Sequence, residues 1–173
     1  MSLFGEEAQP RLLVRWLPAG RREWLLEAAA LGIVLFWFYY LTAHWDALPE
    51  RVSSGFDWKG APRGSAPKSF LWILPAVSLV VYVVMTVPSR FPHRGNFPVQ
   101  VAGSNAPRLY AMARWMLNVI KLQVTATMGY ILWKMVQTGL ENAAGLNPWV
   151  MGVLLVAVMG TAVYGAWSMR RME

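Results

Sequence analysis

Long runs of apolar residues alternate along this chain with polar stretches that are rich in arginine. A bilayer core about 30 Å thick is crossed by roughly 20 residues in helical form, so the longest runs have the length of a membrane span. Backbone groups in lipid must form their hydrogen bonds internally, which favours helices over open strands. The pattern therefore predicts an all-α membrane protein with four transmembrane helices, over residues 24–45, 70–87, 109–138 and 149–169.

The third run is the most polar of the four, because it contains Arg114, Lys121 and Lys134. Its length favours a span, and the alternative is a helix that lies partly in the membrane interface. Tryptophan is typical of the headgroup level of a membrane. It marks the ends of the other three runs, at Trp24, Trp45, Trp72, Trp149 and Trp167.

Composition strengthens the membrane interpretation. Apolar residues make up 56% of the chain and charged residues only 14%, whereas a soluble domain carries about a quarter charged residues. The net charge is +7, but the basic residues lie mostly between apolar runs, so we expect them to meet anionic lipid headgroups and not nucleic acid. The absence of cysteine excludes disulfides, cysteine-ligated zinc and iron–sulfur clusters.

The distribution of Lys and Arg predicts the orientation. The N-terminal tail, the second loop with the start of the third run, and the C-terminal tail together hold ten of these residues. The first loop holds four and the third loop holds none. The positive-inside rule then places both termini in the cytoplasm and the first loop outside.

Residues 1–22 are predicted to form a cytoplasmic tail, and residues 23–173 the membrane domain. Within the tail, residues 10–17 have the pattern of a short interfacial amphipathic helix, with Arg11 and Arg15 one turn apart. A frayed tail is the alternative. The end of the first run, LTAHWDA, has no small-x-small cleavage site, so we expect an uncleaved anchor and not a signal peptide.

The loop between the first and second runs combines turn-forming residues with aromatic ones. It contains several glycines and prolines, and also Phe56 and Trp58, which favour contact with an apolar surface. This composition predicts a structured extracytoplasmic loop. The loop forms either a small cap on the outer helix ends or a docking surface for a partner.

Seven positions of this loop follow an ordered motif, at Leu48, Pro49, Arg51, Val52, Phe56, Gly60 and Lys68. The motif resembles the N-terminal membrane domain of SdpI-type bacterial immunity proteins, a domain of unknown function that also occurs as short stand-alone proteins. The NFPV stretch at residues 96–99, and Asn105-Ala106 followed by Tyr110, resemble the same proteins. The resemblance covers about residues 24–140. It implies a multi-pass protein of the bacterial inner (cytoplasmic) membrane.

The resemblance implies no particular activity. The family's motif histidine is Gly55 in this chain, and the preceding proline is Ser53. A proton- or metal-dependent role of that histidine is therefore not carried over. We expect a short stand-alone member without the second half of full-length SdpI proteins, so immunity itself is not carried over either.

The third run carries a polar stripe. Arg114, Asn118, Lys121 and Thr125 are spaced four, three and four residues apart, which places them on one helix face. A cation at the centre of a span costs roughly 2.5–3.5 kcal/mol on insertion scales, so this face is expected to turn toward the bundle interior. Glu27 is the only carboxylate inside another predicted span. We predict that it pairs with Arg114, with Lys121 as the deeper alternative.

Two interpretations of this buried polar cluster stay open. It forms a pocket for an anionic headgroup, a quinone or a small ligand, or it only fixes helix packing while its long side chains snorkel to the interface. Full retention of assembly and partner function in a Lys121→Met variant would remove the pocket interpretation.

Small residues and histidines provide the remaining candidates. Ala157, Thr161 and Gly165 are spaced four residues apart, which permits close helix approach within the chain, with a second copy or with a partner. His44 and His93 lie on opposite predicted sides of the membrane, so they cannot share a metal. Each is a weak candidate for a haem or chlorin ligand, and the alternative is a polar interfacial residue.

The sequence contains no GxSxG, HExxH or phosphate-binding glycine-rich motif. We therefore predict a non-enzymatic protein without a resident cofactor, namely an accessory or scaffold subunit of a larger membrane complex, or an SdpI-like sensor. Its expected partners are membrane lipids and other membrane protein subunits. The alternatives are a transporter or channel element that uses the polar stripe, and a pigment- or quinone-binding subunit.

Overall fold

A computed structural model describes residues 20–91, 105–142 and 145–172 of the chain. Four long helices dominate these residues, and a short 3-10 helix leads into the second. The predicted tail helix at residues 10–17, His93 and the NFPV stretch lie outside the described residues. The long helices are α1 (Arg21–His44), α2 (Ile73–Arg90), α3 (Ala106–Gly139) and α4 (Pro148–Arg170), and the 3-10 helix is Lys68–Trp72.

Three helical segments in the described part of the chain are long and apolar enough to cross a membrane: Arg21–His44, Lys68–Arg90 and Pro148–Arg170. They correspond to the first, second and fourth apolar runs, for which the prediction of membrane-length helices is confirmed. The 34-residue helix α3 is not among them. Its charged and polar residues lower its hydropathy, and several of them are buried in the bundle.

Helix α3 lies at the centre of the bundle. It packs against α1, α2 and α4, and its buried positions extend from Ala106 to Val136. Helices α2 and α4 instead turn large apolar side chains outward, among them Val80, Val84, Val153, Val156 and Met159. A soluble monomer rarely exposes so large an apolar surface, whereas lipid favours it.

Local chemistry defines where the helices begin. At the start of α1, the backbone N–H of Gly20 donates to the Glu23 carboxylate at 3.1 Å. At the start of α4, the side-chain oxygen of Asn147 accepts a hydrogen bond from the backbone N–H of Trp149 at 2.9 Å. Pro148 occupies the first helical position, where its missing N–H costs little.

The loop between α1 and the 3-10 helix folds back on itself as two short antiparallel ladders. At its tip, the Asp57 carboxylate accepts backbone hydrogen bonds from Lys59 and Ala61, both at 2.8 Å. We call residues 46–67 the cap. Its strands are β1 (Arg51–Val52), which pairs with β4 (Ala66–Pro67), and β2 (Gly55–Phe56), which pairs with β3 (Pro62–Arg63).

The cap packs on the ends of the helices. Leu48 and Val52 are buried in an apolar cluster that Phe56 also contacts, and whose helical members are Leu41, Leu71, Leu132, Met135 and Val136. The carbonyl of Gly60 accepts a hydrogen bond from the backbone N–H of Leu146, just before α4, at 2.9 Å. Trp58 is 83% exposed. The sequence predicts an apolar contact for both aromatic residues; Phe56 packs against the cluster, whereas most of the Trp58 side chain is exposed.

Candidate functional site

Helices α1, α2 and α3 each contribute side chains to one buried polar cluster inside the bundle. Helix α1 contributes two carboxylates one turn apart, α2 contributes a tyrosine and a threonine one turn apart, and α3 contributes the predicted stripe. Each pair is spaced four residues apart, so helical periodicity places both members on the same face. The members are Glu23, Glu27, Tyr82, Thr86, Arg114, Asn118 and Lys121.

Lys121 and Glu27 form the central ion pair of this cluster. Lys121 is fully buried and Glu27 is 7% exposed. An unpaired charge at such a position is strongly unfavourable, so the pairing explains how α3 tolerates an ammonium group at its middle. The contact joins α1 to α3.

The remaining hydrogen-bonding capacity of Glu27 is met by α2. Its second carboxylate oxygen accepts hydrogen bonds from the Tyr82 hydroxyl at 2.9 Å and from the Thr86 hydroxyl at 3.0 Å. The Thr86 oxygen in turn accepts a hydrogen bond from Lys121 at 2.9 Å. The Lys121 ammonium also lies 4.9 Å from the centroid of the Tyr82 ring, where the ring face attracts a cation. Three helices are thus tied together through one carboxylate.

Arg114 has a different carboxylate as its partner. Its guanidinium donates to Glu23 at 3.2 Å, and Glu23 also accepts the N–H of Gly20. The prediction that Glu27 pairs with Arg114 is therefore wrong, and the deeper alternative, Lys121, is the partner that forms. The physical reason is register: the earlier carboxylate of α1, Glu23, meets the earlier cation of α3, and the later carboxylate, Glu27, meets the later cation, Lys121.

The other two stripe residues are buried but play different parts. Asn118 is 3% exposed, and its side-chain oxygen has no hydrogen-bond partner. The Thr125 hydroxyl donates to the backbone carbonyls of Lys121 and Leu122 in its own helix, at 2.9 and 3.0 Å. The structure therefore brings Arg114, Asn118 and Lys121 to the cluster and leaves the hydroxyl of Thr125 engaged with α3 itself.

Three members of the cluster are absent from the sequence prediction. Glu23 lies just before the first apolar run, so a search inside the predicted spans misses it. Tyr82 and Thr86 occupy an uncharged run. A signal was nevertheless present, because Ser78, Tyr82 and Thr86 recur every four residues and form a polar stripe on α2.

The small residues of α4 pack inside the chain. The Gln123 amide of α3 donates to Thr161 at 3.0 Å and to the carbonyl of Ala157 at 3.4 Å. Gly165 faces Met116, which occupies the space that a side chain at Gly165 would need. Of the interpretations given for Ala157, Thr161 and Gly165, these contacts correspond to helix packing within the chain.

His44 bonds to its own helix. Its ring Nδ1 donates to the carbonyl of Tyr40 at 2.9 Å, and the two rings lie 4.2 Å apart between centroids. Across the described residues, no group of three or more His, Asp or Glu side chains is placed to hold a metal ion.

Each of the seven residues of the loop motif makes an identifiable structural contact. Arg51 of β1 donates to the Ser65 hydroxyl at 2.9 Å, and this bond joins β1 to the segment just before β4. Lys68 forms an ion pair with Glu50 at 3.1 Å, and Pro49 lies beside Gly139 at the end of α3. The motif residues Leu48, Val52, Phe56 and Gly60 make the packing contacts described above.

Comparison with protein-family models, with curated proteins and with solved structures found no match to this chain.

Proposed function

We propose that the chain is a four-span integral protein of the bacterial cytoplasmic membrane, with both termini inside and the cap outside. Support for α3 as the fourth span comes from its neighbours: it packs against three helices, each part of a membrane-length apolar segment. At about 1.5 Å per residue its length is about 50 Å, enough to cross the bilayer and its headgroup layers. Its two most deeply placed cations are paired with carboxylates of α1.

We further propose that the protein acts as a non-enzymatic accessory or scaffold subunit of a larger membrane complex. The observation that carries this proposal is the engagement of Glu27, whose two oxygens bind Lys121, Tyr82 and Thr86. A carboxylate of one helix whose two oxygens are both bound by side chains of two other helices fits a structural role. The outward apolar faces of α2 and α4 then supply the contact area for another membrane subunit. An SdpI-like sensor is the alternative within the same class.

The resemblance to the SdpI-type membrane domain supports the same reading. The motif residues with structural contacts hold the cap together or fix it to the helix ends. A shared motif of this kind reflects a shared cap, and it does not require a shared reaction. We propose that the chain belongs to that family on this basis.

Site-specific photocrosslinking tests the accessory role. A photoreactive residue at Val156, which is 69% exposed on α4, is compared with one at the fully buried Val34. The proposal expects Val156 to give one discrete adduct to another membrane protein, in a stoichiometric complex that survives mild solubilisation. Adducts to lipid alone, together with a lone oligomer of this chain, contradict it.

A transporter or channel element is the second candidate, and Asn118 is the observation that favours it. Its oxygen is buried without a partner on the same face as two cations, where a passing ion or water would find an acceptor. Reconstituted vesicles with a pH-sensitive dye test this role. A flux that Asn118→Leu abolishes and that Lys134→Met leaves intact supports transport, and the absence of flux in the unmodified protein contradicts it.

A further inference from the structure

Exposed arginines gather at one end of the bundle. The Arg90 guanidinium of α2 lies 4.6 Å from the ring centroid of Trp24 in α1, and the Asn105 amide at the start of α3 donates to the carbonyl of Met172 beyond α4 at 3.3 Å. With the ion pair of Arg114 and Glu23, which joins α3 to α1, these contacts place the start of α1, the end of α2, the start of α3 and the end of α4 together. The six exposed arginines there are Arg21, Arg22, Arg90, Arg108, Arg170 and Arg171.

Within the described residues, little negative charge accompanies them. Glu23 is the carboxylate of this end within the described residues, and it is occupied by Arg114 and by the N–H of Gly20. No described ion pair involves any of the six arginines. At the cap end, by contrast, five cations face four carboxylates: Arg51, Lys59, Arg63, Lys68 and Lys134 against Asp46, Glu50, Asp57 and Glu141.

Two of the arginines lie over tryptophan rings. Besides Arg90 over Trp24, the Arg171 guanidinium lies 3.7 Å from the ring centroid of Trp167. Arginine has five N–H donors, so a guanidinium held over a ring can still donate to a phosphate. Both tryptophans are about half exposed, as expected for side chains at headgroup level.

We propose that this arginine end binds the phosphate of an anionic phospholipid, with Arg90 on Trp24 as the principal site and Arg21 and Arg22 beside it. The proposal rests on the four-span arrangement proposed above. The contact of Arg90 with Trp24 joins α2 to α1, and the same two helices expose apolar side chains close by in sequence, such as Leu25 and Val87. A lipid satisfies both surfaces at once, because its phosphate meets the arginines and its acyl chain meets the apolar side chains. A soluble phosphate satisfies only the first.

Native mass spectrometry of the detergent-solubilised full chain tests the proposal. The protein is exposed to equimolar dioleoylphosphatidylglycerol and dioleoylphosphatidylcholine, and the ratio of the two bound lipids is measured. We expect phosphatidylglycerol to be preferred, and each arginine removed from the site to lower that preference by about fivefold. The site variant is R21Q/R90Q. The matched control is K59Q/R63Q, which also removes two charges, including the Lys59 cation that lies 4.9 Å from the Trp58 ring at the cap end.

The outcomes separate the possible sources of phosphate. Loss of preference in R21Q/R90Q but not in K59Q/R63Q supports the site, and equal effects of the two variants overturn it. Displacement of the bound lipid by millimolar glycerol phosphate also overturns it, in favour of a soluble phosphate ligand. The unmodified protein gives an independent measurement, because an electrostatic preference must weaken as NaCl is raised; a preference insensitive to salt contradicts the proposal.

Carbonate extraction of membranes distinguishes failure of the lipid site from failure of the four-span proposal. A chain released by carbonate is not an integral protein, and then both proposals fail. A chain that stays in the membrane but binds both lipids equally loses only the lipid site.

Discussion

Lys121 of α3 and Glu27 of α1 form a buried ion pair that is closed by Thr86 of α2, whose hydroxyl donates to Glu27 and accepts from Lys121. One threonine hydroxyl therefore forms a hydrogen bond with each of the two charged groups. The arrangement fixes the register of three helices, because a slip of one turn along α3 would separate the ammonium from both partners. Replacement of the charges is therefore expected to act on assembly of the bundle before anything else.

The first prediction concerns the coupling between these two charges. Glu27→Gln and Lys121→Met are each expected to lower the free energy of unfolding by about 3–5 kcal/mol, because each leaves the other charge buried and unpaired. The double variant is expected to lose clearly less than the sum, since it leaves no uncompensated charge. Reversible unfolding in mixed detergent micelles measures the four free energies that this cycle needs.

A second ion pair serves as the control for that cycle. Glu50 and Lys68 lie 3.1 Å apart, but the Glu50 side chain is 88% exposed. Removal of that pair is expected to change the free energy of unfolding by at most about 1 kcal/mol. A Lys121→Met variant as stable as the unmodified protein would show that the buried pair does not hold the helices together.

The second prediction concerns the close approach of α1 and α3 at Gly129. The Trp37 indole ring occupies the space where a side chain at Gly129 would begin. Gly129→Ala is therefore expected to displace Trp37 and to lower the free energy of unfolding by about 1–3 kcal/mol. Trp37 fluorescence is one of ten tryptophan signals, so thermal unfolding in detergent is the better measurement.

Gly152 of α4 is the matched control for Gly129. No atom lies within 4 Å of the position that a Cβ at Gly152 would occupy. Gly152→Ala is therefore expected to be neutral or to raise stability by up to about 1 kcal/mol, through the higher helix propensity of alanine. Equal effects of the two substitutions would argue against the Trp37 contact.

The apolar helices were predictable from sequence because their signal is local. Three runs of membrane length, and the single-face spacing of Arg114, Asn118 and Lys121, follow from composition and helical periodicity alone. Both features survive in the structure because neither depends on how the helices are shifted along one another. The burial of the stripe follows from the cost of exposing cations to lipid.

The pairing within the cluster was not predictable in the same way. Arg114 and Lys121 are both chemically suitable partners for Glu27, and the choice depends on the axial register of α1 against α3. That register is set by packing across the whole interface, including the contact of Trp37 with Gly129. The role of Glu23 is not predictable from the apolar run because Glu23 precedes that run, although it lies on the same side of α1 as Glu27.

The cap is a third case: the sequence predicts that the loop is structured, but it does not predict which strands pair. Glycine, proline and aromatic residues indicated a structured loop, but two-residue ladders carry too little periodicity to be read from sequence. Their pairing follows from the turn that Asp57 closes at the tip and from the contact of Gly60 with Leu146. The first is a local turn, and the second is a tertiary contact that the local sequence does not specify.

The third prediction concerns that contact. Gly60 has a φ of +83°, which alanine adopts only with strain, and a Cβ there would overlap the Leu146 carbonyl. Gly60→Ala is expected to detach the tip of the cap and to speed tryptic cleavage at Lys59 and Arg63. Gly55→Ala is the control, because its Cβ would meet no atom within 4 Å. Equal cleavage rates in the two variants would contradict the docked tip.

The fourth prediction concerns the direction in which α3 runs. The chain contains no cysteine, so single cysteines report topology without further changes. Ala61→Cys in the cap and Asn142→Cys after α3 are expected to react with a membrane-impermeant maleimide in intact cells. Arg108→Cys at the start of α3 and Arg171→Cys after α4 are expected to react only after permeabilisation.

Arg108 and Asn142 decide between a span and an interfacial helix. They flank α3, so opposite labelling of these two positions requires α3 to cross the bilayer. If α3 instead lay in the interface, both would label from the same side. Because α3 carries Lys121, that result would also place Lys121 in the headgroup layer. Breaking its pair with Glu27 would then lower the free energy of unfolding by less than the first prediction requires.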